Sequence, residues 1–129
     1  MDLDILIDNC VSFQHHTEIA LVIHYILKDK YRYIGNNIWE FYDHIKMIWV
    51  KDKNIIKLMN DINNIVCDKF ITKSLLWLNK YNDEINDEIK YTYKIRYDNT
   101  IDIIVNLKNK KYLTTIIKEC KQFFNTADI

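Results

Sequence analysis

The stretch that decides the fold is residues 31–50, YRYIGNNIWEFYDHIKMIWV, which holds Trp39, Trp49 and the single glycine, Gly35. Residues 31–34 are strand-like. Gly35-Asn36-Asn37 has turn chemistry, because glycine and asparagine tolerate positive φ. Residues 38–42 alternate, with Trp39 and Phe41 on one face and Ile38, Glu40 and Tyr42 on the other. Asp43-His44-Ile45 turns the chain again, and residues 46–50 form a third strand with Met47 and Trp49 on one face. This pattern predicts a short antiparallel β-meander whose inner face is Trp39, Phe41, Met47 and Trp49. Three strands alone are marginal in water, so flanking helices must cover that face.

Outside the meander the hydrophobic period is helical. Residues 4–12 predict a short helix, with Leu3, Ile7 and Val11 at helical spacing. Residues 17–28 carry an apolar stripe of Ile19, Val22, Ile23, Ile26 and Leu27. Asp52 is placed to cap a long helix over residues 53–79. Thr72-Lys73-Ser74 is a candidate break within it. Residues 81–88 are acidic and read as a loop or an exposed helical turn. Residues 90–98 are open to strand or helix; the alternation of Tyr91, Tyr93, Ile95 and Tyr97 with polar neighbours favours a strand by period. Residues 100–107 start another helix. Residues 112–124 form a last one, with Leu113, Ile116, Ile117, Cys120 and Phe124 on one face and Asn125 as its stop. The fold class is therefore α+β, mostly helical with a small three-stranded meander, in one domain over residues 1–129.

Composition narrows the function. The 18 basic and 18 acidic residues cancel, so any pull toward nucleic acid must come from a local patch. Three widely spaced cysteines without a CxxC point to a reducing, intracellular compartment. No apolar run reaches the roughly 20 residues a bilayer span needs, so no membrane partner is expected, and an acidic amino-terminal segment argues against a signal peptide. A single glycine cannot build a GxxxxGK[ST] phosphate loop. Asp2, Asp4 and Asp8 read as a solvated terminal segment rather than a metal-binding carboxylate cluster. Cys10 with His15-His16 fits no zinc spacing. His24 reads as a partly buried, hydrogen-bonded histidine, and Cys67 and Cys120 as packing residues. Asp83-Glu84 and Asp87-Glu88 read as a solvated charge run. No catalytic residue, metal or cofactor is expected, and the chain by itself is read as no enzyme.

Two basic patches remain. Lys46, Lys51 and Lys53 lie near the aromatic meander, where aromatic side chains stack on unpaired bases and lysines neutralise phosphates in nucleic-acid-binding proteins. A small sheet beside helices is in this respect similar to winged-helix modules. Lys108-Asn109-Lys110-Lys111 is the densest basic run, with Lys118 and Lys121 beyond it. It is either a solubilising turn between helices or a phosphate contact.

The order of these features resembles a known family. His16-Thr17-Glu18-Ile19-Ala20 leads into strands carrying Asn37-Ile38-Trp39-Glu40-Phe41 and then Trp49. After a long helix the chain closes on Ile116-Ile117-Lys118-Glu119-Cys120-Lys121-Gln122-Phe123-Phe124. Residues 15–124 so resemble the D5 N-terminal region of primase-helicases from poxviruses and other large DNA viruses, which lies between a primase and a superfamily 3 helicase. Members have a shorter spacing than that from Trp39 to Trp49 and a helical segment where residues 91–97 read here as a strand, and continue into the helicase where this chain stops. The chain is then an excised domain or a stand-alone relative. The resemblance implies a non-catalytic adaptor or collar module of a viral replicative primase-helicase. Its partners would be the helicase domain or further copies of itself, with DNA as a second class, at viral replication sites in the host cytoplasm. The rival readings are a stand-alone nucleic-acid-binding protein and a viral host-interaction protein.

Overall fold

The computed structural model describes residues 2–126. The architecture is α+β and mostly helical. In chain order it runs α1 (Leu3–Phe13), α2 (His16–Leu27), β1 (Tyr31–Tyr33), β2 (Trp39–Asp43), β3 (Ile48–Lys51), a 3₁₀ turn (Lys53–Ile55), α3 (Ile56–Asp61), a π-helical turn (Ile62–Val66), α4 (Cys67–Asp83), α5 (Asp87–Leu107) and α6 (Lys110–Phe124). Helices α2 and α6 pack side by side and α1 lies on α2. Between them sits one aliphatic core, in which Ile19, Ile23, Leu27, Leu58, Ile62, Phe70, Leu107 and Ile116 are fully buried. Cys10, Cys67 and Cys120 are unpaired and buried in it.

The meander forms as expected, with strand order β1-β2-β3 and both pairs antiparallel. Tyr31 stands opposite Phe41 and Tyr33 opposite Trp39, on the face that meets the core. Trp39 is completely enclosed and packs edge-on to Phe124 at 5.3 Å, which seats the sheet against the end of α6. The third strand differs from the expectation. Phe41 pairs with Val50 and Tyr42 with Trp49, so Trp49 lies on the outer face with Arg32, Glu40 and Tyr42. Met47 is not in the strand at all. It occupies the turn at φ 56 and is 72% exposed. A four-residue turn, 44–47, sets this register, and one residue of slip moves a whole strand's side chains to the other face. Val50, not Trp49, completes the inner face.

Asp52 does cap the long helix, at longer range than the sequence implied. Its buried carboxylate accepts from the Lys57 N–H at 3.0 Å and the Leu58 N–H at 2.9 Å. The helix accordingly begins at Ile56, after Asn54 and Ile55 at positive φ. No break occurs at Thr72-Lys73-Ser74. Lys73 and Ser74 are buried, and Lys73 pairs with Asp8 at 2.8 Å. Asp8 is thus tied to the body of the fold, and Asp2 caps α1 by accepting from the Ile5 N–H, so this segment is more than a solvated end.

The strand expected over residues 90–98 is a helix, the first half of α5. Asn86 caps it by accepting from the N–H groups of Glu88 and Ile89, and Asp87 and Glu88 suit the positive end of its dipole. The alternation has a helical meaning as well. Tyr93 and Tyr97, four apart, are half-buried, while Tyr91 and Ile95, also four apart, are exposed. α4 and α5 form a long antiparallel hairpin closed by the three-residue tip 84–86. Among the described residues no helix is long and apolar enough to cross a membrane.

Candidate nucleic-acid interface

The basic run expected at residues 108–111 sits in the turn between α5 and α6. Lys108 ends α5, and Asn109 caps α6 by accepting from the Tyr112 N–H at 3.1 Å. Two residues join the helices, so the lysines are held close to the body. The first turn of α6 has no acidic residue. Lys110 and Lys111 therefore add their charge to the positive end of the helix dipole, where a carboxylate would be the stabilising choice.

Opposite this turn lies the π-helical segment of residues 62–66. Lys108 Nζ donates to the Asn63 carbonyl oxygen at 3.3 Å, bridging the two. The cleft between them, about 240 Å³, is lined by apolar Ile56, Met59 and Leu113 and by Asn60, Asn63, Lys108 and Lys110. No carboxylate lines it. The Asn63 side-chain oxygen is out of water and has no hydrogen-bond partner among the described residues. Irregular backbone flanks the cleft on both sides, with Ile55 at φ 50 just before Ile56 and the π turn just after Asp61. A β-branched residue in the left-handed region costs roughly 1–2 kcal/mol, and π turns occur often at functional sites.

The structure brings Lys108 and Lys110 together and leaves Lys111 exposed one position round α6, outside the cleft lining. Among the described residues neither Lys110 nor Lys111 makes an ion pair. Lys118 is exposed. Lys121 is engaged elsewhere, donating to the Asn37 side chain at 2.6 Å and lying over the Tyr33 ring. The meander lysines do not gather. Lys46 is in the β2–β3 turn beside Asp43, whose carboxyl is held below its ordinary value chiefly by the Lys46 backbone N–H. Lys51 stands opposite Glu40 across the ladder, and Lys53 is exposed in the 3₁₀ turn.

The aromatic candidates separate as well. Trp39 is enclosed and half-buried Phe41 packs against the core, with Lys57 over its ring at 5.1 Å. Trp49 faces outward, but Arg32 lies 4.4 Å from its ring centroid and Tyr42 meets it edge-on at 5.4 Å. Arg32 is in turn held by Glu40 at 2.7 Å. A second cleft of about 350 Å³ runs past Trp49, lined also by His24, Lys28, Arg32 and Phe123. Burial, then Lys28, pushes the His24 pKa below its ordinary value. No local sequence pattern singles out Arg32 or Lys28. The available signal was the parity of Arg32, Glu40 and Trp49 once the four-residue turn is placed.

Burial raises all three thiols, Cys10 to about 12, so none is poised as a thiolate. Among the described residues no three of His, Cys, Asp and Glu gather in a way that would hold a metal ion. What the α5–α6 turn can do chemically is attract an anion and seat a small apolar group beside it. No known family model matches the sequence, and no curated protein matches it.

Proposed function

We propose that this chain is a non-catalytic adaptor or collar module of a viral replicative primase-helicase, acting at the replication site in the host cytoplasm, and that it touches DNA phosphates through the α5–α6 turn. One observation carries the DNA contact: Lys108 and Lys110 line a cleft free of carboxylates at the amino end of α6. In a chain whose charges cancel overall, such a local excess steers a polyanion. Support for the family context comes from α5. The resemblance calls for a helix over residues 91–97, and α5 supplies it.

The test is binding of a short fluorescent single-stranded oligonucleotide over a salt series. Counterion release gives a slope of about −0.7 per phosphate neutralised on single strands, so three lysines contribute about −2. K108E/K110E/K111E should weaken binding at least tenfold and flatten that slope. Unaltered binding by the triple variant rejects the contact. Co-purification with a superfamily 3 helicase domain tests the adaptor role separately, and a chain that binds DNA without binding the helicase is the stand-alone alternative.

A further inference from the structure

We infer that the acidic tip of the α4–α5 hairpin docks into the lysine-lined cleft of a second copy, joining copies head to tail. The inference deepens the reading above, because it rests on the same cationic cleft and names a protein occupant for it.

The tip is built to present one side chain. Ile85 is 94% exposed, yet the backbone that follows it is pinned. The Glu84 carboxylate accepts from the Asn86 N–H, and Asn86 then caps α5. Asp83, Glu84, Asp87 and Glu88 flank Ile85 in the sequence. The lysines closest to it in sequence lie over rings, Lys80 over Trp77 and Tyr93 and Lys90 over Tyr81. The tip is therefore an exposed aliphatic side chain flanked by four acidic residues that make no ion pair among the described residues. The cleft is its complement in both respects, with Ile56, Met59 and Leu113 for the aliphatic group and Lys108 and Lys110 for the carboxylates. Isolated exposed hydrophobic residues are ordinary on protein surfaces; the matched charge around this one is not.

A chain cannot satisfy its own cleft. Tip and cleft lie at opposite ends of α5, whose 21 residues span about 31 Å. The contact is therefore between copies and joins unlike surfaces, so it propagates as a ring or an open chain according to the rotation per step. Phosphates and the tip compete for the same lysines, so nucleic acid should dissolve the assembly.

Sedimentation velocity across a concentration series at low salt tests this. Wild type should grow in mass with concentration. I85K, at a position with no packing role, and K108E/K110E should each weaken association about tenfold or more. Mixing the two variants should restore pairing, because one keeps its cleft and the other its tip, and should stop at a 1:1 complex. A single-stranded oligonucleotide should disperse the wild-type assembly, and I85K should still bind it. A wild type that stays monomeric, or a mixture that fails to pair, overturns the inference. A symmetric dimer indifferent to I85K overturns it too. If the oligonucleotide binds the cleft in any of these cases, the proposed DNA contact stands without the tip. If charge reversal in the cleft leaves oligonucleotide binding intact while copies still pair through the tip, the DNA contact falls and the tip contact stands.

Discussion

Helix α6 buries Leu113, Ile116, Ile117, Cys120 and Phe124 in one stripe, whereas residues 87–99 of α5 bury no side chain completely. The two segments are separated by only a turn and a half-helix, yet they cohere by different physics. α6 removes aliphatic surface from water, about 1.5–3 kcal/mol for each large side chain. The outer half of α5 instead zips onto α4 through aromatic and cationic pairs. Trp77 and Tyr93 stack at 6.0 Å, Arg96 lies 4.9 Å from the Trp77 ring centroid, and Lys80 sits near both rings. Each such pair contributes about 0.5–1 kcal/mol. The core is thus held by a few large contributions and the hairpin by many small ones. A segment held that way can open locally while the core stays closed.

The largest effects should fall on the core. Trp39→Ala should cost about 3–5 kcal/mol and Ile116→Ala about 2–5 kcal/mol in urea unfolding followed by circular dichroism. Tyr93→Ala on the hairpin should cost about 1 kcal/mol, and Trp49→Ala no more than that, since Trp49 loses only its Arg32 and Tyr42 contacts. Equal losses at Ile116 and Tyr93 would erase the distinction between the two regions. Native-state hydrogen exchange sharpens it, because amides of residues 91–98 should exchange through local opening while those of residues 113–120 should wait for global unfolding.

The same contrast explains what could be read beforehand. α6 was legible because its buried residues repeat at helical spacing over four turns, and nothing else produces that pattern. The outer half of α5 was not, because Tyr91, Tyr93, Ile95 and Tyr97 satisfy period two and, as two pairs spaced by four, also satisfy a helix. Only the partner decides between them, and the partner is α4. Trp49 failed for a smaller reason. Its face depends on turn length, and Met47 looked like a strand residue while adopting a turn conformation. Lys108 and Lys110 were visible as a dense run, but the cleft they line was not, because Ile56, Met59 and Asn63 arrive from a segment about fifty residues earlier through a π turn that no local pattern announces.

High pH should act on the core first. Burial raises the thiols of Cys10, Cys67 and Cys120, and burial followed by the hydrogen bond to Asp61 raises Tyr31. All four belong to the core cluster. A group whose pKa is raised by folding keeps its proton while the unfolded chain gives its own up. Its stabilisation is complete below the unfolded value, near 9.0 for cysteine, and is lost as pH climbs toward the folded value. Stability measured from pH 8 to pH 11 should fall steadily, and C10A/C67A/C120A should reduce that slope even if it lowers stability throughout. Thiol reagents at pH 8 should find nothing to modify until denaturant opens the core.

The acid side should be gentler and should trace to one residue at the margin of the core. His24 is half-buried against Phe123 and Phe124, and its pKa is lowered by burial and then by Lys28, with Asp29 opposing. Folding here disfavours the charged imidazole, so the unfolded chain takes up the proton first. The contribution is complete above the unfolded value of about 6.5 and is lost as pH falls from there through the folded value, below which the loss levels off. Because Asp29 offsets part of the effect and the ring is only half-buried, the drop should be the smallest of those described. His24→Gln keeps a polar side chain at the margin of the aromatic cleft and removes the titration, so its stability should be flat between pH 7 and pH 5 where wild type declines. A wild-type profile already flat over that window would mean that water reaches the imidazole freely, and that the edge of the core lies inside α2 rather than at the aromatic pair closing α6.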